Sequence, residues 1–147
     1  MSTFHCLNYH VTFSTKHRTP WIKQNRIDRL HAYLGGTVNE LDGRALKIAG
    51  VEDHIHLLIG LKPVHKIADF MRELKKSTSK WVHEEITFPP FQWQEGYAIF
   101  SVSPTVCPSV AKYIANQYKH HRKRSYREEL IQMLEVAGIK YNPKYLD

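Results

Sequence analysis

The order in which two hydrophobic periods alternate along this chain leaves few architectures open. Residues 4 to 14, Phe-His-Cys-Leu-Asn-Tyr-His-Val-Thr-Phe-Ser, alternate at period two. Leu7, Tyr9, Val11 and Phe13 therefore share one face of an extended strand, and Asn8, His10 and Thr12 share the other. From Asn25 to Leu41 the apolar positions Ile27, Leu30, Leu34, Val38 and Leu41 return every three or four residues, which is the spacing of a helix face. Gly35-Gly36 weakens the middle of that helix. Two strands are expected over 44–51 and 54–61 with a turn at Glu52-Asp53, then a second helix over 65–86 that Pro89-Pro90 ends. Residues 97–103 read as a fourth strand, and a third helix should run from after Ser103-Pro104-Thr105 to about His121. A fourth helix should start at Ser125, because Ser125 and Glu128 have capping-box spacing, and end at Gly138. The order βαββαβ followed by helices predicts an α+β fold. Its centre would be a ferredoxin-like, RRM-like antiparallel sheet with two helices on one face and C-terminal helices added.

Composition narrows the class of function. A chain of 147 residues with 42% hydrophobic side chains fits one domain with a real core and excludes general disorder. No apolar run approaches the roughly 18 residues of a membrane span, and no charged-then-apolar leader opens the chain. Cys6 and Cys107 lack the spacing of a disulfide framework or a metal knuckle, and read as small buried residues of a reducing compartment. A cytoplasmic protein is expected. The formal charge of +7 and ten histidines point to polyanionic partners. Most of that charge is local: between Glu95 and Glu128 no carboxylate occurs, while Lys112, Lys119, Arg122, Lys123, Arg124 and Arg127 do. The run reads either as a solvated helix-end face or as a ridge that contacts phosphate. Lys66, Arg72, Lys75, Lys76 and Lys80 are diluted by Asp69 and Glu73 and read as an ordinary wet helix face.

Two short motifs carry chemistry. In His54-Ile55-His56 both imidazoles project to one side of a strand, with Ile55, Leu57 and Ile59 on the other. Such a pair suits a divalent cation, although a His-x-His is short and surface or hydrogen-bonded histidines are commoner. In Tyr113-Ile-Ala-Asn-Gln117 a phenol and an amide four residues apart share a helix face, a spacing equally expected of a packed tyrosine. Together they describe more. Two nitrogen ligands and an amide oxygen would leave open positions on a metal, with a phenol beside it and cations just downstream. That is the equipment for metal-assisted attack of tyrosine on a phosphodiester.

At this point the sequence resembles the single-tyrosine transposases of the HUH superfamily, the insertion-sequence 200-like group. The resemblance lies in Asn8-Tyr-His-Val-Thr-Phe-Ser-Thr-Lys-His-Arg18, Gly50-Val-Glu-Asp-His-Ile-His-Leu-Leu58, Trp93-Gln-Glu-Gly-Tyr-Ala-Ile-Phe-Ser-Val-Ser103 and Tyr113-Ile-Ala-Asn-Gln117 followed by His120-His-Arg. It covers nearly the whole chain and implies a single transposase domain over 1–147. It implies that His54, His56 and Gln117 bind a divalent metal, Mg2+ or Mn2+, and that Tyr113 is the nucleophile. Nitrogen ligands favour manganese, cobalt or zinc over magnesium, whereas cellular availability favours magnesium as the working ion. The products would be a 5′-phosphotyrosyl DNA and a free 3′-hydroxyl, rejoined without ATP.

The resemblance further implies single-stranded DNA hairpins at element ends as partners, a homodimer whose Tyr helix can complete the other subunit's site, and a place beside the nucleoid. Ser103–Pro108 is the segment that can act as a hinge for such an exchange. Lys16, His17 and Arg18 after the first strand, with Lys119, Arg122, Lys123 and Arg124 around the Tyr helix, are the candidate DNA-backbone contacts. His10 reads as a hydrogen-bonded structural residue that can approach the site. His120-His121 read as a helix cap or a phosphate contact, and no general base is assignable. The main rival is a domesticated or non-catalytic module of the same fold that grips hairpin DNA or RNA without cutting it. A third reading is a metal-dependent phosphoesterase in which water attacks.

Overall fold

A computed structural model describes residues 1–121 and 123–146, and in it both hydrophobic periods become the expected elements. Strand β1 (Leu7–Ser14), helix α1 (Ile27–Glu40), strands β2 (Arg44–Val51) and β3 (His54–Leu61), helix α2 (Ile67–Glu85) and strand β4 (Ala98–Val102) follow in order. The sheet order is β2-β3-β1-β4, and each neighbouring pair is antiparallel. That is the ferredoxin-like arrangement of an α+β fold.

Period two divides each central strand between two layers. On one face Val11 and Phe13 of β1 and Ile55, Leu57 and Ile59 of β3 are buried against Leu34 and Val38 of α1 and Met71 and Leu74 of α2. Each such side chain contributes roughly 1.5–3 kcal/mol by leaving water. This layer makes the central strands rigid. The other face of β1 and β3 carries His10, Thr12, Ser14, His54 and His56, which are polar and nevertheless buried.

What covers that polar face is the C-terminal set: α3 (Cys107–Ala115), α4 (Gln117–His121) and α5 (Tyr126–Val136). Leu58, Val102 and Ile114 form a small core beneath α3. Tyr126, Leu130 and Leu134 of α5 pack against Ala98 and Phe100 of β4. Ser125 caps α5 as expected: its hydroxyl accepts from the Glu128 amide at 3.2 Å, and the Glu128 carboxylate accepts from the Ser125 amide at 3.4 Å. Gly138, with φ +70°, follows the end of α5.

Three expectations change. The helix expected to run unbroken to His121 is interrupted at Asn116 (φ −101°, ψ 28°), which caps α3 and lets α4 start in a new direction. Cys6 is exposed rather than buried, because it precedes β1 and no layer reaches it. Lys75 is turned inward from its wet cluster and donates to the carbonyls of Gln94 and Gly96, each at 2.6 Å.

One glycine bears directly on the His pair. Gly50 lies opposite Ile55 in the β2–β3 ladder. A Cβ there would come within 2.3 Å of the His54 carbonyl oxygen, so the tight hairpin that presents His54 admits only hydrogen at that position.

Candidate active site

The site is assembled by three elements of different kinds: a strand pair, the α3–α4 junction and α5. In the β1–β3 register Thr12 lies opposite His56, and Ser14 lies opposite His54. Both imidazoles of the pair are wholly buried. Each has its Nδ1 engaged by a neighbour. His54 Nδ1 is 2.6 Å from Asp53 Oδ1 in the preceding turn, and His56 Nδ1 is 2.7 Å from His10 Nε2. A partner on Nδ1 orients each ring and directs Nε2 toward the centre, which is the usual outer support of a metal-binding histidine.

Gln117, His121 and Glu129 meet those two nitrogens. Gln117 Oε1 lies 3.0 Å from His54 Nε2 and 3.1 Å from His121 Nε2. Glu129 Oε1 lies 2.8 Å from His56 Nε2 and 3.2 Å from His121 Nε2. Tyr126 stacks on the outer face of the His54 ring with centroids 4.4 Å apart, and His121 closes on it at 4.3 Å.

Tyr113 arrives beside this group within the same chain. Its hydroxyl donates to the second carboxylate oxygen of Glu129, and it accepts from Arg124 Nη2 at 3.2 Å. Arg124 Nη1 is in turn held by Gln132 Oε1. The phenol ring stacks on His120 with centroids 4.5 Å apart. Glu129 is thus a bridge: one oxygen faces the imidazoles and the other holds the phenol.

The electrostatics follow from burial and from this bridge. Burial pushes the Glu129 carboxyl up, but the hydrogen bonds from His121 and His56 outweigh it and hold the group well below the usual carboxylate range. Burial, then the hydrogen bond and charge of Glu129, push the Tyr113 phenol well above its ordinary value, and Arg124 opposes them. Burial lowers His56 to about 4, against the pull of Glu129. Burial and the neighbouring His56 lower His10 to about 3.

These shifts have a testable sign. An imidazole with a lowered folded pKa takes up its proton first in the unfolded chain, so acid favours unfolding. The penalty is absent above pH 6.5 and for His56 is complete near pH 4. There it is on the order of 3 kcal/mol, and His10 adds to it less than additively, since the rings share a hydrogen bond. Below the ordinary carboxylate range Glu129 adds loss in the same direction. The urea midpoint of chelator-treated protein should fall steeply between pH 7 and 4.5; an unchanged midpoint would mean that the imidazoles are not buried neutral.

The group fits a divalent cation. One ligand atom from each of His54, His56, His121 and Glu129 lies within 4.8 Å of the others, and the Gln117 oxygen joins them. Several lone pairs converge on one point, and Gln117 Nε2 is buried with no partner. Imidazole nitrogen with carboxylate and amide oxygen is a donor set for a first-row divalent ion.

Among the residues singled out from sequence, the structure brings His54, His56, Gln117 and Tyr113 together. Lys16, His17, Lys119 and Lys123 are exposed, and Arg18 is half-buried. Lys16–Arg18 form a 3₁₀ turn in which His17 and Arg18 take positive φ. Arg124 faces the phenol, and Arg122 lies outside the described residues. Sequence reasoning missed Glu129 and took His121 for a helix cap or a phosphate contact. A signal existed for both. Glu129 interrupts the buried stripe of Tyr126, Leu130 and Leu134 at a core position, and His121 follows Gln117 by four residues.

Comparison with known proteins decides the family. The sequence family described as "Transposase IS200 like" matches residues 3–117. The chain belongs to the IS200-like transposase family. Its membership makes transposition the supported class of function. The ISDra2 transposase TnpA of Deinococcus radiodurans is 24% identical over 120 residues, spanning 76% of this chain and 84% of that protein. A crystal structure from D. radiodurans R1, of a protein assigned as a transposase, superposes with TM-score 0.64 at 24% identity, over 80% of this chain and 95% of that one. The REP-associated tyrosine transposase bound to a REP hairpin superposes with TM-score 0.61 at 13% identity, over 82% of this chain and 74% of that one. At these identities the two structures show the shared fold of IS200-like transposases. The family match ends at Gln117, so His121, Arg124 and Glu129 lie beyond it. Among the described residues, no helix is long and apolar enough to cross a membrane.

Proposed function

We propose that this chain is a metal-dependent DNA transposase, one domain over 1–147, that cuts and rejoins single-stranded DNA at hairpin-flanked ends through Tyr113. One observation carries the reading: the only tyrosine hydroxyl that touches Glu129 belongs, among the described residues, to the motif with Gln117, and Glu129 also faces His56 and His121. Nucleophile and cation site thereby share a carboxylate.

The chain's own groups divide the work. Tyr113 attacks phosphorus; the phenolic O–P bond forms as the P–O3′ bond breaks, leaving a 5′-phosphotyrosyl strand and a 3′-hydroxyl. Glu129 is placed to take the phenol's proton, which ends on the departing 3′ oxygen. Arg124 offers a guanidinium to charge that builds on the phenol and phosphate. His54, His56, His121, Gln117 and Glu129 would hold the cation, Mg2+ or Mn2+, oriented by Asp53 and His10. Such an ion, when bound, supplies Lewis-acid polarisation of the scissile phosphate. The phosphotyrosyl bond keeps the energy of the phosphodiester, so a second 3′-hydroxyl can reverse the attack without ATP. Lys16, His17, Arg18, Lys119, Arg122 and Lys123 are the candidate contacts to the DNA backbone. The solved relative bound to a REP hairpin supports a hairpin as the partner. In a homodimer the segment before α3 would let either subunit's Tyr helix serve either site; one chain's own helices already complete the group.

The test is direct. Single-stranded hairpin oligonucleotides are incubated with protein and manganese and resolved on a denaturing gel. A covalent adduct that peptide mapping places on Tyr113 is the expected result. Hairpin binding without an adduct would favour the gripping module, and cut strands free of protein would favour attack by water.

A further inference from the structure

A cleft of about 430 Å³ opens beside the nucleophile, between β4, α3 and α5. Its walls are apolar: Phe100 and Val102 from β4, Val110 from α3, and Met133 and Val136 from α5. Val136, at 83% exposed, is one of the most exposed large apolar side chains of the chain, and core packing does not account for it. Tyr113, Arg124 and Gln132, with His10 and Ser101, supply the polar part of the lining. The size lies within the roughly 300–1,000 Å³ typical of small-ligand sites.

We propose that this cleft is a nucleotide subsite that takes the unpaired base of the nucleotide retained on Tyr113. The inference rests on the reading of Tyr113 as nucleophile. In an in-line displacement the attacking and leaving oxygens lie on opposite sides of phosphorus. The fragment that departs with the 3′-hydroxyl therefore lies across from the phenol, and the fragment that keeps the 5′-phosphate is the one free to lie on the phenol's side. The cleft has Tyr113 in its wall and so opens on the phenol's side.

Its chemistry matches a 5′-nucleotide. Two N–H groups of Arg124 are engaged with Tyr113 and Gln132, and a guanidinium has five, which leaves donors for a phosphate. Gln132 uses its oxygen on Arg124, so its amide N–H groups are free to meet an acceptor on a base edge. Phe100 and Met133 offer the apolar and polarisable surface on which any base can lie. A second cleft, of about 360 Å³, meets the ligand group at His121 but has Glu52 in its wall and no Lys or Arg. It is the poorer phosphate neighbour.

The experiment uses the whole chain with chelator, so that no strand is cut. Chemical shifts of the methyl groups of Val102, Val110, Met133 and Val136 are followed on addition of a deoxynucleoside 5′-monophosphate, its 3′-monophosphate isomer, and deoxyribose 5-phosphate. The 5′-nucleotide should move the cleft methyls and bind about tenfold tighter than the sugar phosphate, as base stacking alone predicts, and tighter than the 3′ isomer. Val136→Asp, a change at an exposed position that leaves the core untouched, should weaken it at least about fivefold. Equal affinity for deoxyribose 5-phosphate would reduce the site to a phosphate contact and overturn the subsite. So would shifts confined to other surfaces, or cleft shifts that follow protein concentration alone, which would mean a second copy of the chain sits there. A Tyr113 adduct with a silent cleft would sink this inference and spare the strand-cutting reading; a filled cleft with no adduct would leave a nucleotide-binding cleft but overturn both the strand-cutting reading and the cleft's role in holding its product.

Discussion

Tyr113→Phe should eliminate covalent capture of DNA, by at least about a thousandfold, while hairpin binding changes by less than about threefold. The substitution removes one oxygen and little else. The ring would keep its stack on His120 and its edge contacts with His10 and His56. Glu129 would lose one of its donors but retain His56 and His121, so the loss of stability should stay near 1–2 kcal/mol, the ordinary effect of one buried hydrogen bond. Manganese affinity should hold or rise slightly, because the carboxylate then no longer shares itself with the phenol. The measurement is adduct yield on a denaturing gel beside hairpin affinity by fluorescence anisotropy. An adduct at undiminished yield would place the nucleophile elsewhere and remove the reason for reading this group as a transposase centre.

Strand β3 shows why much of this protein could be read from its sequence. One residue step separates Ile55 and Leu57, in the main core, from His54 and His56, in the site. Period-two alternation therefore reports both the strand and the sidedness of its chemistry. The bounds of β2 and β3 and the cap of α5 were legible for the same reason: each is set by neighbours within a few residues. The break at Asn116 was not. Periodicity continues across it, since Tyr113 and Gln117 keep helical spacing, and only the packing of α4 against the sheet reveals the change of direction. The two motif residues reach the site from different helices, not from one continuous face.

The remaining members of the site were hidden by distance along the chain. Glu129 is 73 residues from His56, with which it shares a hydrogen bond. Nothing local marks a glutamate beside a capping-box glutamate as buried, except that it falls on the stripe of Tyr126, Leu130 and Leu134. Arg124 sits in a run of cations that reads as a solvated face or a phosphate-contacting ridge, yet its guanidinium is turned to the phenol. The family match stops at Gln117, so α5 brings a carboxylate and α4 an imidazole to a site whose other parts lie within the matched residues. A ligand set of His54, His56 and Gln117 was the expectation; the structure adds His121 and Glu129 to the same point.

Whether that addition matters is decided by Glu129→Gln, which should weaken manganese binding on the order of a hundredfold. Glu129 is the one formal negative charge among the converging atoms. Its attraction to a divalent ion, in a site with little water, is stronger than any neutral ligand's. Glutamine keeps the shape and an oxygen, so packing should survive, but its amide N–H groups must face either the imidazole lone pairs or the phenol. Gln117→Ala, which removes a neutral oxygen, should weaken binding only about tenfold. Both are read by competition against a fluorescent metal indicator, with hairpin affinity in chelator as a control that neither should move. The order of the two effects carries the argument. If Glu129→Gln bound manganese like the unaltered chain while Gln117→Ala lost it, the carboxylate would serve the phenol alone, and the metal would belong to the histidine pair and Gln117. A larger loss at Glu129 would mean that one carboxylate couples the ion to the nucleophile, so that a metal bound there draws charge away from the oxygen that otherwise holds the proton on Tyr113.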